Sequence, residues 1–248
     1  MLHVENIDNV TDLFKENQPF VLSHDFGLSE IMNVDKILKD YGKLKVIVPE
    51  IVEGKKISSL KEMNCIEITI EQYVKEYINK KNNKYYLRSE NPFGFVHPEK
   101  IVKLEKAIVN KYNFGKEGKI SLWWGGGGTI TPLHYDSYSH KIDQTLKQIY
   151  KKDFYKKPIA HSLLSVVSGR KEVLLIEPKY NDLIESLDLD HSGAMYSKTE
   201  ISEILIKNNI KQDIIILNEN ESLNIPRFWW HRINNIKQGI SITYNFKL

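Results

Sequence analysis

The sequence predicts a mainly β protein whose strands form an antiparallel barrel or sandwich of the jelly-roll type, preceded by an α/β extension. From residue 121 onward, short apolar runs are separated by turn residues, which is typical of antiparallel β architecture. Before that point, strand-like runs alternate with helical patterns. The 248 residues, 41% of them hydrophobic, suffice for one large domain. We expect it to span 1–248, with the extension in 1–118 and the barrel core in 119–248.

The elements of the extension follow from local patterns. A helix is predicted over 28–41, because apolar residues recur at helical spacing from Ile31 to Leu38 and Gly42 ends the pattern. Pro98, in a first turn, predicts another helix over 98–112. The remaining predicted elements of this region are strands at 20–22, 45–48, 66–70 and 85–87, and a helix near 71–79.

The core region is predicted from short β-branched and aromatic runs. The strands are expected at 122–124, 163–167, 173–176, 214–216, 222–225 and 240–246. Two helical interruptions are predicted, at 142–154 and 198–208. The first belongs to an insertion of about 139–160. Insertions at barrel mouths are where substrate selectivity usually lies, and a surface helix that covers the barrel is the alternative interpretation.

Composition narrows the function classes. A formal net charge of only +3 does not argue for nucleic acid, although a lysine-rich run lies at 147–157. The single cysteine, Cys65, allows no intramolecular disulfide and favours a reducing cytoplasm. We find no signal-peptide pattern at the N-terminus and no stretch apolar enough to span a bilayer, so no membrane partner is expected.

Two short segments carry the candidate chemistry. His134 and Asp136 form a His-x-Asp pair, and a strand would point both side chains to one face, where they can reach the same ion. His231 follows much later in the chain. Two imidazoles and one carboxylate are the ligand set that holds Fe(II) on one face and leaves other positions open. Because a His-x-Asp pair occurs often by chance, this prediction depends on the flanking residues.

The flanking residues resemble the cupin-like, JmjC-type Fe(II)/2-oxoglutarate oxygenases, and among them the asparaginyl hydroxylases. The matched segments are Leu122–Gly125, Gly128–Asp136, Leu163–Lys171, Leu174–Pro178, Ile225–His231 and Ser241–Phe246. The N-terminal half matches mainly through Tyr85–Leu87 and the order of its elements. The resemblance implies a double-stranded β-helix, that is, a jelly-roll or cupin barrel. It implies His134, Asp136 and His231 as the catalytic residues that bind Fe(II).

The resemblance also implies positions for 2-oxoglutarate as cosubstrate. Lys171 stands where family members bind its far carboxylate, and a buried cation facing a carboxylate forms a charge-assisted hydrogen bond. Thr131 and Tyr86 match positions whose hydroxyls hold the same carboxylate, and Asn245 matches a polar position lining the site. The run Gly125–Gly128 lacks the Gly-Lys-Ser/Thr of a phosphate loop, so we interpret it as a close-packed turn.

The chain departs from the family pattern in its turns and beside the expected metal. Ser162 or His161 stands where the family often has Asn, which leaves that contact open. Asn220–Ser222 replaces the Gly-Asp turn that often precedes the Ile-Pro strand. Neither departure changes a metal ligand.

The expected function is hydroxylation of a C–H bond coupled to oxidative decarboxylation of 2-oxoglutarate, with a peptide or protein side chain as substrate. A small metabolite or a modified tRNA is the alternative substrate, and a non-catalytic metal- or ligand-binding cupin is the alternative from a different class. The lysine-rich insertion keeps nucleic acid open without favouring it. The oligomeric state stays open.

Overall fold

The computed structural model describes residues 2–5, 13–14, 16–23, 29, 32–50, 64–90, 118–136, 161–188, 194–197 and 201–246. In chain order the strands are β1 (Leu2–Val4), β2 (Phe20–Ser23), β3 (Lys45–Pro49), β4 (Cys65–Thr69), β5 (Leu87–Glu90), β6 (Gly118–Gly125), β7 (Ile130–Asp136), β8 (His161–Val166), β9 (Arg170–Ile176), β10 (Ser186–Asp188), β11 (Ala194–Ser197), β12 (Gln212–Leu217), β13 (Glu221–Ile225), β14 (Trp230–Lys237) and β15 (Gly239–Phe246). The helices are α1 (Val34–Tyr41), α2 (Ile70–Tyr73) and α3 (Ile201–Asn208).

Most of these strands form two sheets. A seven-stranded sheet has the order β1-β2-β13-β8-β15-β6-β5, and a six-stranded sheet has the order β10-β11-β7-β14-β9-β12. Pairing is antiparallel except between β1 and β2. The predicted mainly β, jelly-roll class is therefore confirmed, and within the described residues its form is a sandwich of two separate sheets.

The core between the two sheets comes from alternate residues of strands in both. Leu164 and Leu223 on the larger sheet share one buried cluster with Val173, Leu175 and Ile233 on the smaller sheet. Because strand side chains alternate, the intervening residues pack on the outer faces. The space between the two sheets is therefore apolar around this cluster. The inward-facing polar side chains lie in other parts of the two sheets.

Both outer faces are covered. The N-terminal segments pack Phe14, Ile37 and Tyr73 against the seven-stranded sheet, in one cluster with Trp124 and Ile242. The predicted α/β extension is confirmed here, since α1 and α2 accompany the two-stranded sheet β3–β4. A 3₁₀ turn at Pro178–Leu183 and helix α3 accompany the other sheet, where residues such as Tyr180 and Leu205 pack beside Leu133, Leu174 and Trp230.

The predicted helix over 28–41 is not continuous, because Met32 and Asn33 are not helical. Helix α1 begins at Val34, because Asn33 is extended (φ −64°, ψ 136°) and its side chain accepts hydrogen bonds from the amides of Asp35 and Lys36. The helix near 71–79 begins at Ile70 behind a Thr69–Gln72 capping box and continues as a π-helical turn over Val74–Ile78.

Other elements of the structure lie at positions that differ from the prediction, or were not predicted. The strand expected at 85–87 is β5, which begins at Leu87, and Tyr85 forms only an isolated bridge with Glu50. Strands β1, β10, β11 and β14 carry no predicted counterpart. The helices predicted at 98–112 and 142–154, with the insertion of about 139–160, lie outside the described residues. In the described part of the chain, no helix has the length and apolarity needed to span a membrane.

Candidate active site

Adjacent strands of the six-stranded sheet bring the predicted metal ligands together. His134 on β7 lies directly opposite His231 on β14, and Asp136 follows two residues along β7. The Nε2 atom of His134 is 3.9 Å from one Asp136 carboxylate oxygen, and that of His231 is 3.8 Å from the other. One ligand atom from each residue lies within 4.8 Å of the others. A single ion can therefore be reached by all three side chains.

Backbone carbonyls set the orientation of both imidazoles. The Nδ1 atom of His134 is 2.8 Å from the carbonyl oxygen of Pro132, and that of His231 is 3.1 Å from the carbonyl oxygen of Trp229. Each Nδ1–H donates to its carbonyl, which leaves Nε2 as the lone-pair nitrogen facing the carboxylate. The Nε2–carboxylate distances exceed a hydrogen bond. The three groups thus surround a common point, and this donor set fits Fe(II).

The centre is buried on its imidazole side and open on its carboxylate side. His134 and His231 are 4% and 3% exposed, whereas the Asp136 side chain is 18% exposed. The ring of Tyr196, on the neighbouring strand β11, stacks on His134 with centroids 5.2 Å apart. Access from solvent is therefore on the side of Asp136.

Lys171 lies on the same inner face, farther along the sheet. It is opposite Asn235 across the β9–β14 ladder, and Asn235 alternates with Ile233 and His231 on one side of β14. Lys171 is 2% exposed, and its ammonium donates to the Asn235 Oδ1 and, at 3.2 Å, to the Tyr86 hydroxyl. Burial lowers the pKa of Lys171 to about 7. Burial also raises the pKa of Tyr86, which stays a neutral phenol.

A β-bulge brings Thr131 to this face. Two steps along β14, from His231 to Ile233, correspond to three steps along β7, from His134 to Thr131. In a regular strand this three-residue interval would place Thr131 and His134 on opposite faces, and the bulge brings them to the same one. Pro132 lies inside the irregular stretch, where its missing N–H costs no ladder bond. The side chains of Asn235 and Thr131 lie beside the Tyr86 phenol, where they partly offset the rise in its pKa that burial causes, so three predicted cosubstrate residues form one group.

Asn245 lies on the facing sheet rather than in this group. It is opposite Ser162 in the β8–β15 ladder, and the Ser162 hydroxyl donates to the Asn245 Oδ1 at 2.7 Å. Ile242 and Tyr244 of β15 pack outward, so Asn245 alternates inward. The serine that departs from the family pattern therefore contacts the polar residue predicted to line the site.

Two residues of the site were missed from the sequence. Asn235 contacts Lys171 directly, and the half-buried Trp123 contacts Tyr86, with ring centroids 5.7 Å apart. Asn235 stands at an even spacing of four from His231, which on a strand means the same face. That signal could be used only if β14 had been predicted as a strand.

Comparisons with known proteins agree with this geometry. The family described as the cupin-like domain matches residues 11–247. JmjC domain-containing protein C of Dictyostelium discoideum is 29% identical over 174 residues, which are 66% of this chain and 36% of that protein. JmjC domain-containing protein D of the same organism is 29% identical over 129 residues, which are 50% of this chain and 24% of that protein.

A lysine-specific demethylase of Arabidopsis thaliana is 23% identical over 134 residues, which are 52% of this chain and 26% of that protein. The matched region is thus between 24% and 36% of the length of these three relatives. Members of the JmjC and cupin-like families are Fe(II)- and 2-oxoglutarate-dependent oxygenases or demethylases. The match over nearly the whole length shows that this chain belongs to the cupin-like domain family, of the JmjC type.

Proposed function

We propose that this protein is an Fe(II)- and 2-oxoglutarate-dependent dioxygenase that hydroxylates a C–H bond of a peptide or protein side chain. The observation that carries the proposal is the gathering of His134, Asp136 and His231 around one point, on the same inner face as the buried Lys171. A metal centre and a buried cation are the two anchors that a keto acid with a second carboxylate requires. We also propose that residues 1–248 form one domain and act in the cytoplasm.

His134, Asp136 and His231 would hold the metal. Bound Fe(II) supplies the activation of dioxygen that is coupled to oxidative decarboxylation of 2-oxoglutarate. The protein orients this chemistry through the carbonyls of Pro132 and Trp229, which keep each Nε2 directed at the centre. The partial exposure of Asp136 leaves a path by which a substrate side chain reaches the site.

Lys171, Thr131 and Tyr86 would bind the far carboxylate of 2-oxoglutarate. The Lys171 ammonium supplies the charge, and the two hydroxyls supply neutral donors around it. Asn245, held by Ser162 on the facing sheet, would line the pocket from the other side. Because Lys171 and Tyr86 are already hydrogen-bonded to each other, little reorganisation of these two groups is needed for binding.

A protein substrate is supported by the JmjC relatives, one of which is named a lysine-specific demethylase. Hydroxylation of a side-chain carbon and oxidative removal of an N-methyl group both begin at a C–H bond. The two outcomes differ in product, since the first adds one oxygen atom to the peptide and the second releases formaldehyde. A peptide screen should therefore follow both the peptide mass and formaldehyde.

The decisive experiment is succinate release from 2-oxoglutarate by anaerobically Fe(II)-loaded protein after addition of dioxygen. We expect slow turnover without substrate, and its loss in the Lys171→Ala variant. Arg170→Ala is the matched control, since the adjacent Arg170 is exposed on the other side of β9, and it should keep wild-type turnover. Tight binding of iron and no binding of 2-oxoglutarate would instead indicate the non-catalytic cupin.

A further inference from the structure

The amide of Asn235 has a defined direction, which follows from its hydrogen bonds. Its Oδ1 accepts from the Lys171 ammonium, and its Nδ2 donates to the Thr129 hydroxyl at 2.5 Å. The Thr129 hydroxyl donates its own proton to the carbonyl of Gly126 at 2.8 Å, so its oxygen is left to accept from Nδ2. The chain of bonds therefore turns the amide oxygen, and not its nitrogen, toward Lys171.

The backbone of Asn235 is held by the turn that contains Gly125–Gly128, here called the glycine turn. Its N–H donates to the Thr129 carbonyl at 2.9 Å, and its carbonyl accepts from the Gly128 N–H at 2.6 Å. Gly125 makes room for this approach, because a Cβ there would lie 2.6 Å from the Asn235 Nδ2 and 2.8 Å from Tyr86 Cδ2. The turn is thus built around the Asn235 side chain.

The contacts of Lys171 are neutral. Among the described residues its ammonium bonds to an amide oxygen and to a phenol, and the only cause that shifts its pKa is burial. A carboxylate in place of either neutral group would compensate the buried charge and hold the lysine fully protonated. The site therefore fixes the position of a cation without neutralising it.

We propose that Asn235 is a positioning residue that holds the Lys171 ammonium through a neutral acceptor, so that the charge is kept for the carboxylate end of a bound ligand. This inference rests on the proposed function, in which that ligand is 2-oxoglutarate. A neutral amide suits this role, because an aspartate of nearly the same shape would form an ion pair with the Lys171 ammonium and repel the incoming carboxylate. The chemistry of position 235, and not only its size, then sets anion affinity.

The test compares Asn235→Asp with Asn235→Leu. Both side chains branch at Cγ as asparagine does, but only aspartate cancels the charge of Lys171. Binding of 2-oxoglutarate is measured by calorimetry under anaerobic conditions with Mn(II) in place of Fe(II), so that turnover does not interfere. We expect the dissociation constant to rise on the order of 100-fold in Asn235→Asp and several-fold in Asn235→Leu. The midpoint of thermal unfolding of Asn235→Asp should not fall, because the buried lysine gains a partner.

Asn234→Asp is the control, since this neighbouring asparagine alternates to the other side of β14 and adds the same charge. It should keep the wild-type dissociation constant within about twofold. Equal losses in Asn235→Leu and Asn235→Asp, or an unchanged constant in Asn235→Asp, would overturn the inference alone. Absence of 2-oxoglutarate binding by the Mn(II)-loaded wild-type protein would overturn the proposed function and this inference together.

Discussion

The inner face of the six-stranded sheet carries the predicted metal ligands at one end and Lys171 at the other, and the two ends are organised in different ways. At the metal-ligand end, each histidine is held by the backbone carbonyl two residues before it, and each Nε2 lies 3.8–3.9 Å from the Asp136 carboxylate. At the lysine end, Lys171 is held by side chains from two other segments, Tyr86 and Asn235, and these are tied to a glycine turn. The first end owes its geometry to local backbone, and the second owes it to long-range side-chain contacts.

This difference predicts how each end responds to change. Because backbone carbonyls orient the two imidazoles, we expect these side chains to keep their direction whether or not an ion is bound between them. A network of buried side chains is sensitive to each member, since a lost partner leaves a buried polar group unsatisfied. Substitutions at the metal end should therefore affect metal binding with little effect on folding. Those that remove a hydrogen-bond partner at the lysine end should affect both folding and cosubstrate binding.

The largest effect is expected at the metal end. Asp136→Ala removes one of three ligands, and we expect Fe(II) affinity to fall by more than about 100-fold and succinate formation to be lost. Thermal unfolding of the metal-free protein should change little. Metal titration by calorimetry checks this, with the exposed Asp213 of β12 changed to Ala as control. Retained turnover in Asp136→Ala would contradict the metal assignment.

A smaller effect is expected at the lysine end, and it depends on pH. Burial sets the pKa of Lys171 at about 7, so the free site loses its charge as the pH rises, and binding of a carboxylate must restore it. Affinity for 2-oxoglutarate should be constant below pH 7 and fall by up to about tenfold per pH unit above it. Among the described residues, Tyr86 is the titratable group that bonds to Lys171, and it stays neutral. Asn235 and Leu217 oppose Lys171 on the two neighbouring strands.

Calorimetry of the Mn(II)-loaded protein between pH 6.5 and 9 measures this dependence. Lys171→Arg is the comparison, because a guanidinium keeps its proton over this whole range and its profile should be flat. A flat wild-type profile would mean that the ammonium stays charged in the free site.

Overpacking the glycine turn should have an intermediate effect on both folding and binding. In Gly125→Ala the new methyl group would meet the Thr129 hydroxyl and the side chains of Asn235 and Tyr86. We expect a loss of about 1–3 kcal/mol in the free energy of unfolding, with weaker 2-oxoglutarate binding. Gly127→Ala is the control, since its nearest atom is a backbone oxygen 3.2 Å away. Equal effects of the two changes in denaturation and calorimetry would argue against the network.

The smallest effect is expected away from both ends. The buried hydroxyls of Ser222 and Ser165 bond at 2.7 Å on the outward side of their strands. Ser222→Ala should cost about 1 kcal/mol in the free energy of unfolding and leave cosubstrate affinity unchanged. The double change with Ser165→Ala should cost less than the sum of the two, as urea denaturation can measure. An effect on 2-oxoglutarate binding would mean that the larger sheet is coupled to the lysine end.

The sequence predicted the fold class and the grouping of the metal ligands because both depend on local patterns. Alternation places His134 and Asp136 on one face, and flanking residues identify His231. Asn235 could not be found in this way, because its role depends on the pairing of β9 with β14, and β14 carries Asn234, Asn235 and Lys237 in place of a continuous apolar run. The start of α1 was misplaced because the side-chain cap of Asn33 competed with an apolar periodicity.

The bulge in β7 has a consequence for any redesign of this protein. It shifts the phase of the strand by one residue between Thr131 and His134, so that one strand can serve both anchors. A regular strand that kept the three-residue interval would turn either the hydroxyl or the His-x-Asp pair away from the interior. A strand without the bulge could still hold the His-x-Asp pair on one face. With the same spacing, however, it would not place a hydroxyl at position 131 on that face. The spacing between motifs is therefore as much a part of the active site as the motifs themselves.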